Sequence, residues 1–539
     1  MKINTWINER PYLVLPIALM VLIIPVILLE YQVSRHTGGA FMYPLDDTFI
    51  HLTMAKNLAL NGTWGISPGE FQSASSSLLY TVLLAGLLKL FSVNASMPFF
   101  INGITGIILI IVILKRLQKE NIRPFWQLLI LLAIIFFTPL PVLIISGMED
   151  TLQCLFSFLF IFHFSDWMEQ ADSEGGKRRL PFSLLLYGIL SCSIRFEGLF
   201  LVAICCLLLL YKRKISQAFL LGIVCTLPTI LFGLYSMGKG SYFLPNSVLL
   251  KSEQVPLSIA GIIHFLYNIV VEKLTRSTIG ISMVTAQYLL IILPLSFLFF
   301  TGTIKKTTRY GYTLILLITC SFLQITLNST GWFYRYEAYL ILNSVVILSI
   351  LLCTYREEMV FSFRRQPLAM GFILFILFLP MLVRSTAAFN NAPVACVNIY
   401  DQQYQMGKFL QTYYNNEVVA ANDIGAVSYL KKEKILDLWG LANIKIARSK
   451  RNHYYSPAFL DSLCRSEKAG IAIVYDNWFS DSLLGRWDKV ATWTIPHNFV
   501  CFNATVSFYA IEKGKVPDLK KNLQQYQPTL PPGVRVKFY

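Results

Sequence analysis

The strongest constraint in this sequence is a series of apolar runs, each close to the length a helix needs to cross hydrocarbon, about 20 residues. Pro11–Leu29 meets that length, with Lys2 and Arg10 ahead of it. It is too long for the apolar stretch of a secretion signal, and no small-residue cleavage site follows it. Further runs cover 98–114, 126–145, 151–165, 181–194, 197–211, 215–236, 281–301, 311–327, 336–354 and 367–384, while 77–93 and 258–273 are ambiguous by length. Charged residues make up 14% of the chain, against about 25% in a soluble domain. Such a chain needs lipid as part of its solvent. It is not a disordered protein, a coiled coil, a nucleic-acid-binding module or a purely soluble enzyme.

The net charge of +16 is read through its placement, because Lys and Arg concentrate in cytoplasmic loops of membrane proteins. Basic clusters stand at Lys115–Arg123, Lys177–Arg179, Lys212–Lys214, Lys305–Arg309 and Arg356–Arg365. With all of them on the cytoplasmic side, the runs alternate consistently only when 77–93 and 258–273 do not cross. The expectation is eleven transmembrane helices over residues 1–384, with the N-terminus cytoplasmic. Residues 30–97, the corners at 146–150 and Arg195, the stretch 237–280, the loop 328–335 and everything after 385 then lie outside.

From residue 385 the composition turns polar. Residues 401–413 read as an amphipathic helix, Ser456–Ser466 as another, and Val418–Ala421, Lys434–Leu438, Ile471–Tyr475 and 504–511 as short strands. Residues 385–539 are therefore expected to form an extracytoplasmic α/β domain with an irregular tail after Pro517. Seven of the ten cysteines lie in apolar runs. Cys396, Cys464 and Cys501 lie in the polar part and leave room for one disulfide.

Several polar clusters fall on the side assigned as external. Asp46 and Asp47 open a helix marked by Ile50, Met54 and Leu58, which is expected to lie along the membrane surface. One aspartate has a plain reading as a helix cap; a vicinal pair also suits a general base or a divalent-cation ligand. The corner Ser146-Gly147-Met148-Glu149-Asp150 brings two more acids. Arg195 and Glu197 interrupt two apolar runs, where charge is expensive and marks function. Their plain reading is a structural ion pair; the alternative is a guanidinium that grips phosphate. Leu244-Pro245-Asn246-Ser247 with Lys251, and Trp332-Phe333-Tyr334-Arg335-Tyr336-Glu337, read as either interfacial anchors or headgroup contacts. Asn422-Asp423-Ile424-Gly425 follows a strand, where α/β folds place ligand loops.

Taken in chain order, these segments resemble the GT-C membrane glycosyltransferases, near the mycobacterial arabinofuranosyltransferases and the Rhizobium lipopolysaccharide core glycosyltransferases. The Asp46-Asp47 helix with Asn61-Gly62 and Ser75-Ser76-Ser77 is similar to the family's first external loop. Ser146–Asp150, Arg195-Phe196-Glu197-Gly198-Leu199, Leu244–Lys251, Asp423-Ile424-Gly425-Ala426 and Leu436-Asp437-Leu438-Trp439-Gly440-Leu441 resemble later family motifs. Lys56 stands in place of an arginine-rich stretch, and Phe196 in place of a proline.

The resemblance implies an inverting glycosyltransferase that takes a sugar from a polyprenyl-phosphate donor to a cell-envelope glycan or glycolipid, including lipopolysaccharide, at the outer face of the bacterial cytoplasmic membrane. It implies Asp46 as the base and Asp47 as its orienting or metal-binding neighbour, with Glu149 supporting acceptor or metal. Arg195, Glu197, Asn246, Lys251 and Arg335 would bind substrate, and a divalent cation would sit on Asp47 and Glu149. The rivals are a glycan ligase or polymerase and a non-enzymatic transporter or flippase of lipid-linked sugars. A transporter is expected to carry its charges near the midplane and to show repeat symmetry; here the acids gather at one face. All of these readings require the Asp46, Glu149 and Arg195 segments to converge.

Overall fold

The computed structural model describes residues 3–174, 178–250, 308–328, 331–356 and 366–539, with isolated positions between 258 and 296. Lys251 and the apolar runs 258–273 and 281–301 lie essentially outside the described residues. Within them, Pro11–Thr37, Met97–Lys119, Ile215–Gly238 and Arg309–Leu327 are long and apolar enough to cross a membrane. Pro124–Phe137 and Leu140–Ser146 form a further pair bent by 45°. The bend falls at Pro139 and Pro141, where the imide nitrogens cannot continue the helical ladder. Phe182–Ile194, Gly198–Tyr211 and Ala338–Thr354 are apolar but shorter. Asp150–Ser173 runs through the middle of the bundle. Leu152, Phe158, Phe160, Ile161, Phe164 and Trp167 are buried around its circumference, as expected of a helix that is apolar on every side.

Two further helices sit between the bundle and the C-terminal domain. Leu78–Phe91 starts at Ser77, whose hydroxyl accepts from the Tyr80 amide. Asp46–Asn61 is covered by protein well beyond the Ile50–Met54–Leu58 stripe. Every residue from Thr48 to Ala55 is buried. Leu78–Phe91 covers one side of it and Gly425–Leu430 of the C-terminal domain covers another.

The C-terminal domain holds one sheet of six strands, β1 Val419–Ala421, β2 Ile435–Asp437, β3 Ile471–Val474, β4 Asp488–Thr494, β5 Thr505–Ala510 and β6 Arg535–Phe538. Their order is β2-β1-β3-β5-β4-β6. β1 is parallel to β2 and β3; the remaining pairings are antiparallel. β1–β3 are buried on both faces, the usual condition of parallel strands. Because the chain passes from β1 to β2 on one side and then to β3 on the other, the sheet has a switch point beyond the carboxyl ends of β1 and β3. Asp423 and Gly425 stand at that point.

Three expectations need correction. The helix Pro367–Ile399 runs unbroken across the 384/385 boundary and passes through a π-turn at Tyr400–Tyr404 into Gln405–Tyr413. The tail is not irregular: Val516–Tyr526 is a helix with Leu519 and Leu523 buried, and β6 follows. Pro517 falls in its first turn, where a missing N–H costs nothing. All ten cysteines are free, so Cys396, Cys464 and Cys501 form no disulfide.

Candidate active site

The Gly147 corner sets the first acid. Gly147 has a φ of 66°, and a Cβ there would lie 2.3 Å from the ring of Tyr43. Glycine alone meets both demands. The Tyr80 hydroxyl donates to the Gly147 carbonyl at 2.7 Å, and the Thr48 hydroxyl to that of Ser146 at 2.7 Å. These bonds draw the Asp46 helix, through Thr48, and the helix Leu78–Phe91, through Tyr80, to the Glu149 corner.

Glu149 and Arg195 form the centre of a buried ionic cluster. Arg195 Nη1 donates to Glu149 Oε1 at 2.9 Å and lies 3.5 Å from Asp150 Oδ1. Its Nη2 and Nε donate to the two oxygens of Glu197 at 2.7 and 3.1 Å. Every nitrogen of this guanidinium is thus occupied by carboxylate. Ser76 Oγ donates to Glu149 Oε1 at 3.3 Å, and His51 Nε2 stands 3.6 Å from Glu149 Oε2. His51 lies four residues after Asp47, on the same face of the helix, and Ser75 Oγ stands 3.2 Å from its Nδ1. Burial lowers the pKa of His51, with Glu149 opposing.

Arg335 is held differently. Its Nη2 lies 3.3 Å from Asp47 Oδ2, while Nε and Nη1 are buried without a hydrogen-bond partner among the described residues. The guanidiniums of Arg195 and Arg335 both lie against the ring of Tyr336, at 5.2 and 5.1 Å from its centroid. The loop that presents Arg335 is strained: Phe333 and Tyr334 have φ of 48° and 62°, a conformation costing non-glycine residues roughly 1–2 kcal/mol each. Arg384 holds it there. Its Nη2 donates to the Tyr334 carbonyl at 2.7 Å and to Glu337 Oε1 at 3.2 Å, and its Nη1 to the Phe137 carbonyl at the broken helix at 2.8 Å. Glu337 Oε2 in turn accepts from the Gly331 amide at 2.9 Å.

Asp46 has yet another partner. Its two carboxylate oxygens accept from the amides of Gly425 and Ala426 at 2.7 and 2.8 Å, capping a helix of the sheet domain rather than its own. A Cβ on Gly425 would meet the Asp46 carbonyl oxygen at 2.0 Å. Asp423, which accepts from Gln403 and Tyr475 at 2.9 and 2.8 Å, adds its charge nearby. Burial, and then the charge of Asp423, push the pKa of Asp46 up to about 7. Lys56 also crosses to the sheet domain: its Nζ donates to the Tyr429 carbonyl at 2.6 Å.

The structure therefore gathers Asp46, Asp47, Glu149, Arg195, Glu197 and Arg335. Asn246 joins through its backbone amide, which donates to the Ser73 carbonyl at 3.0 Å, three residues from Ser76. Lys251 is outside the described residues. Among those residues no group of three or more His, Cys, Asp or Glu side chains could hold a metal ion. Asp47 and Glu149 instead face Arg335 and Arg195. Sequence reasoning missed His51 and Arg384, and took Tyr336 only as part of an interfacial or headgroup cluster. His51 had a signal in its spacing from Asp47, and Arg384 in being a charge at the end of an apolar run.

No curated protein matches this chain in sequence. A family model described as a domain of unknown function, DUF8728, matches residues 397–509. Among solved structures, ArnT from Cupriavidus metallidurans bound to undecaprenyl phosphate is similar at 10% identity. Its TM-score is 0.51, over 92% of this chain and 98% of that one. The apo state of the same protein gives 0.50 over the same shares. The apo oligosaccharyltransferase of Archaeoglobus fulgidus is similar at 12% identity and a TM-score of 0.50, over 94% of this chain and 74% of that one. The helical bundle with its C-terminal sheet domain thus shares its fold with ArnT and with the archaeal oligosaccharyltransferase.

Proposed function

We propose that this chain is an inverting glycosyltransferase that moves a sugar from a polyprenyl-phosphate donor to a cell-envelope glycan or glycolipid. Transfer takes place at the outer face of a bacterial cytoplasmic membrane. The observation that carries this reading is Arg335: a buried guanidinium with two nitrogens that have no partner among the described residues, next to a carboxylate. Open donors on a fixed cation suit a phosphate, which only accepts. The likeness to a fold whose ArnT structure holds undecaprenyl phosphate supports it.

Asp47 is the base in this reading, and Asp46 the residue that binds the domains together, because both oxygens of Asp46 are taken by backbone amides. The acceptor hydroxyl attacks the anomeric carbon and gives its proton to Asp47. The bond from that carbon to the phosphate oxygen breaks, and the charge on the departing polyprenyl phosphate is held by Arg335. Arg195, saturated by carboxylates, fixes Glu149 and Glu197 rather than gripping phosphate.

Purified protein with a panel of undecaprenyl-phosphate sugars and envelope acceptors tests the reading. Asp47→Asn is expected to slow transfer by about 10²–10⁴-fold while binding of undecaprenyl phosphate persists. Undiminished transfer by Asp47→Asn removes the base. Movement of the lipid-linked sugar across vesicles without acceptor makes the chain a transporter.

A further inference from the structure

Next to the charged cluster lies a polar group of a different kind. Asn246 is 1% exposed, and among the described residues neither its side-chain oxygen nor its side-chain nitrogen has a hydrogen-bond partner. The hydroxyls of Ser73 and Ser247 are likewise buried and find no partner among those residues. The bond from the Asn246 amide to the Ser73 carbonyl, 3.0 Å, puts the three side by side. Buried polar atoms nearly always find partners, so this concentration marks a place that something else completes.

The chemistry of the group narrows what that is. An amide offers donor and acceptor together, and a hydroxyl does the same. A phosphate would face the Asn246 oxygen, acceptor against acceptor. No hydrogen bond or ion pair from a charged side chain reaches the three among the described residues. A neutral ligand rich in hydroxyls satisfies every atom. Its distance from the charged cluster also fits: Ser76, which touches Glu149 at 3.3 Å, is three residues from Ser73, at most about 10 Å along the chain.

We infer that Asn246, with Ser73 and Ser247, is a hydroxyl-reading subsite for the sugar of the donor, separate from the cations that hold its phosphate. This rests on the glycosyltransferase reading and adds to it the residues that discriminate the sugar. It carries a particular signature: the subsite is a cost to the empty protein. Replacing Asn246 by leucine removes buried atoms without partners, so it is neutral or stabilising for the fold, yet it removes the discrimination.

The full-length protein in nanodiscs is tested against undecaprenyl phosphate and a panel of undecaprenyl-phosphate sugars, with thermal unfolding as control. The wild type is expected to bind one sugar-bearing lipid about tenfold or more tightly than undecaprenyl phosphate. Asn246→Leu is expected to lose that preference, keep its affinity for undecaprenyl phosphate, and unfold at the same or a higher temperature. Asn246→Ala, which needs no extra space, is expected to lose the preference in the same way should leucine not be accommodated. A preference retained in both variants, or an equal loss of affinity for both lipids, overturns the subsite and leaves the phosphate reading intact. A wild type that binds neither lipid overturns both.

Discussion

The helix Asp150–Ser173 has a cluster of charge at each end, and the two clusters are built on different terms. At one end Arg116 meets Asp166 and Glu120 at 2.7 Å each, Lys119 meets Asp166 at 2.6 Å, Arg309 meets Glu120 at 2.8 Å and Lys212 meets Asp172 at 2.9 Å. Acids and bases alternate there, and Lys119 is 55% exposed. At the other end, roughly 24 Å along a helix rising about 1.5 Å per residue, Arg195 and Arg335 face Asp47, Glu149, Asp150 and Glu197. All the side chains there except that of Asp47 are nearly or fully buried. The first network is balanced in charge and partly wet, although Arg116 Nε and Asp166 Oδ1 are buried there without a hydrogen-bond partner among the described residues. A buried network with acid in excess, and a guanidinium lacking partners, is set up for a ligand.

That contrast can be broken by substitution. Arg195→Ala is expected to have the largest effect on stability, about 3–5 kcal/mol, because it leaves Glu149 and Glu197 buried without their cation. Thermal unfolding in detergent reads it. Arg335→Ala is expected to cost clearly less while abolishing transfer, since two of its nitrogens have no hydrogen-bond partner among the described residues. Equal melting temperatures for the two variants would erase the distinction between the guanidiniums.

Next in size is Gly425→Ala, whose Cβ has no space against the Asp46 backbone. Overpacking of this kind costs about 1–3 kcal/mol, and here it is expected to show as faster proteolytic release of the sheet domain. Asp46→Asn sharpens the same joint through pH. The carboxyl of Asp46 is raised to about 7, so the stability it contributes is fully present below its ordinary value of about 4 and lost as pH rises through 7. The melting temperature of the wild type is expected to fall between pH 5 and 8, and that of Asp46→Asn to fall less. Parallel profiles would show that the joint does not titrate there. The smallest effect belongs to the matched end: Lys119→Ala is expected to cost under about 1 kcal/mol and to leave transfer unchanged.

What was legible in the sequence was whatever repeats or breaks locally. The apolar runs announced the bundle. The strands β1, β2, β3 and β5 announced themselves by short apolar stretches between turn residues. Glu149 and Arg195 stood out as charges at the edges of apolar runs. What stayed hidden depends on partners far apart in the chain. Asp46 sits at the start of a helix and looks like its cap; that it caps a different helix, 379 residues away, has no trace in its neighbourhood. The burial of the Asp46 helix beyond its apolar stripe stayed hidden for the same reason, because the domain that covers its polar flank comes at the other end of the chain. β4, with two charges in its first positions, and β6, with alternating exposure, offered too little apolar contrast.

The bond from Asp46 to Gly425 and Ala426 also limits how such a protein can be recombined. The head is not an interchangeable module clipped to a helical base, since a residue adjoining the proposed base is moored to its main chain. A chimera carrying a foreign head would have to bring two free amides to that same spot, or leave an anion stranded beside the chemistry.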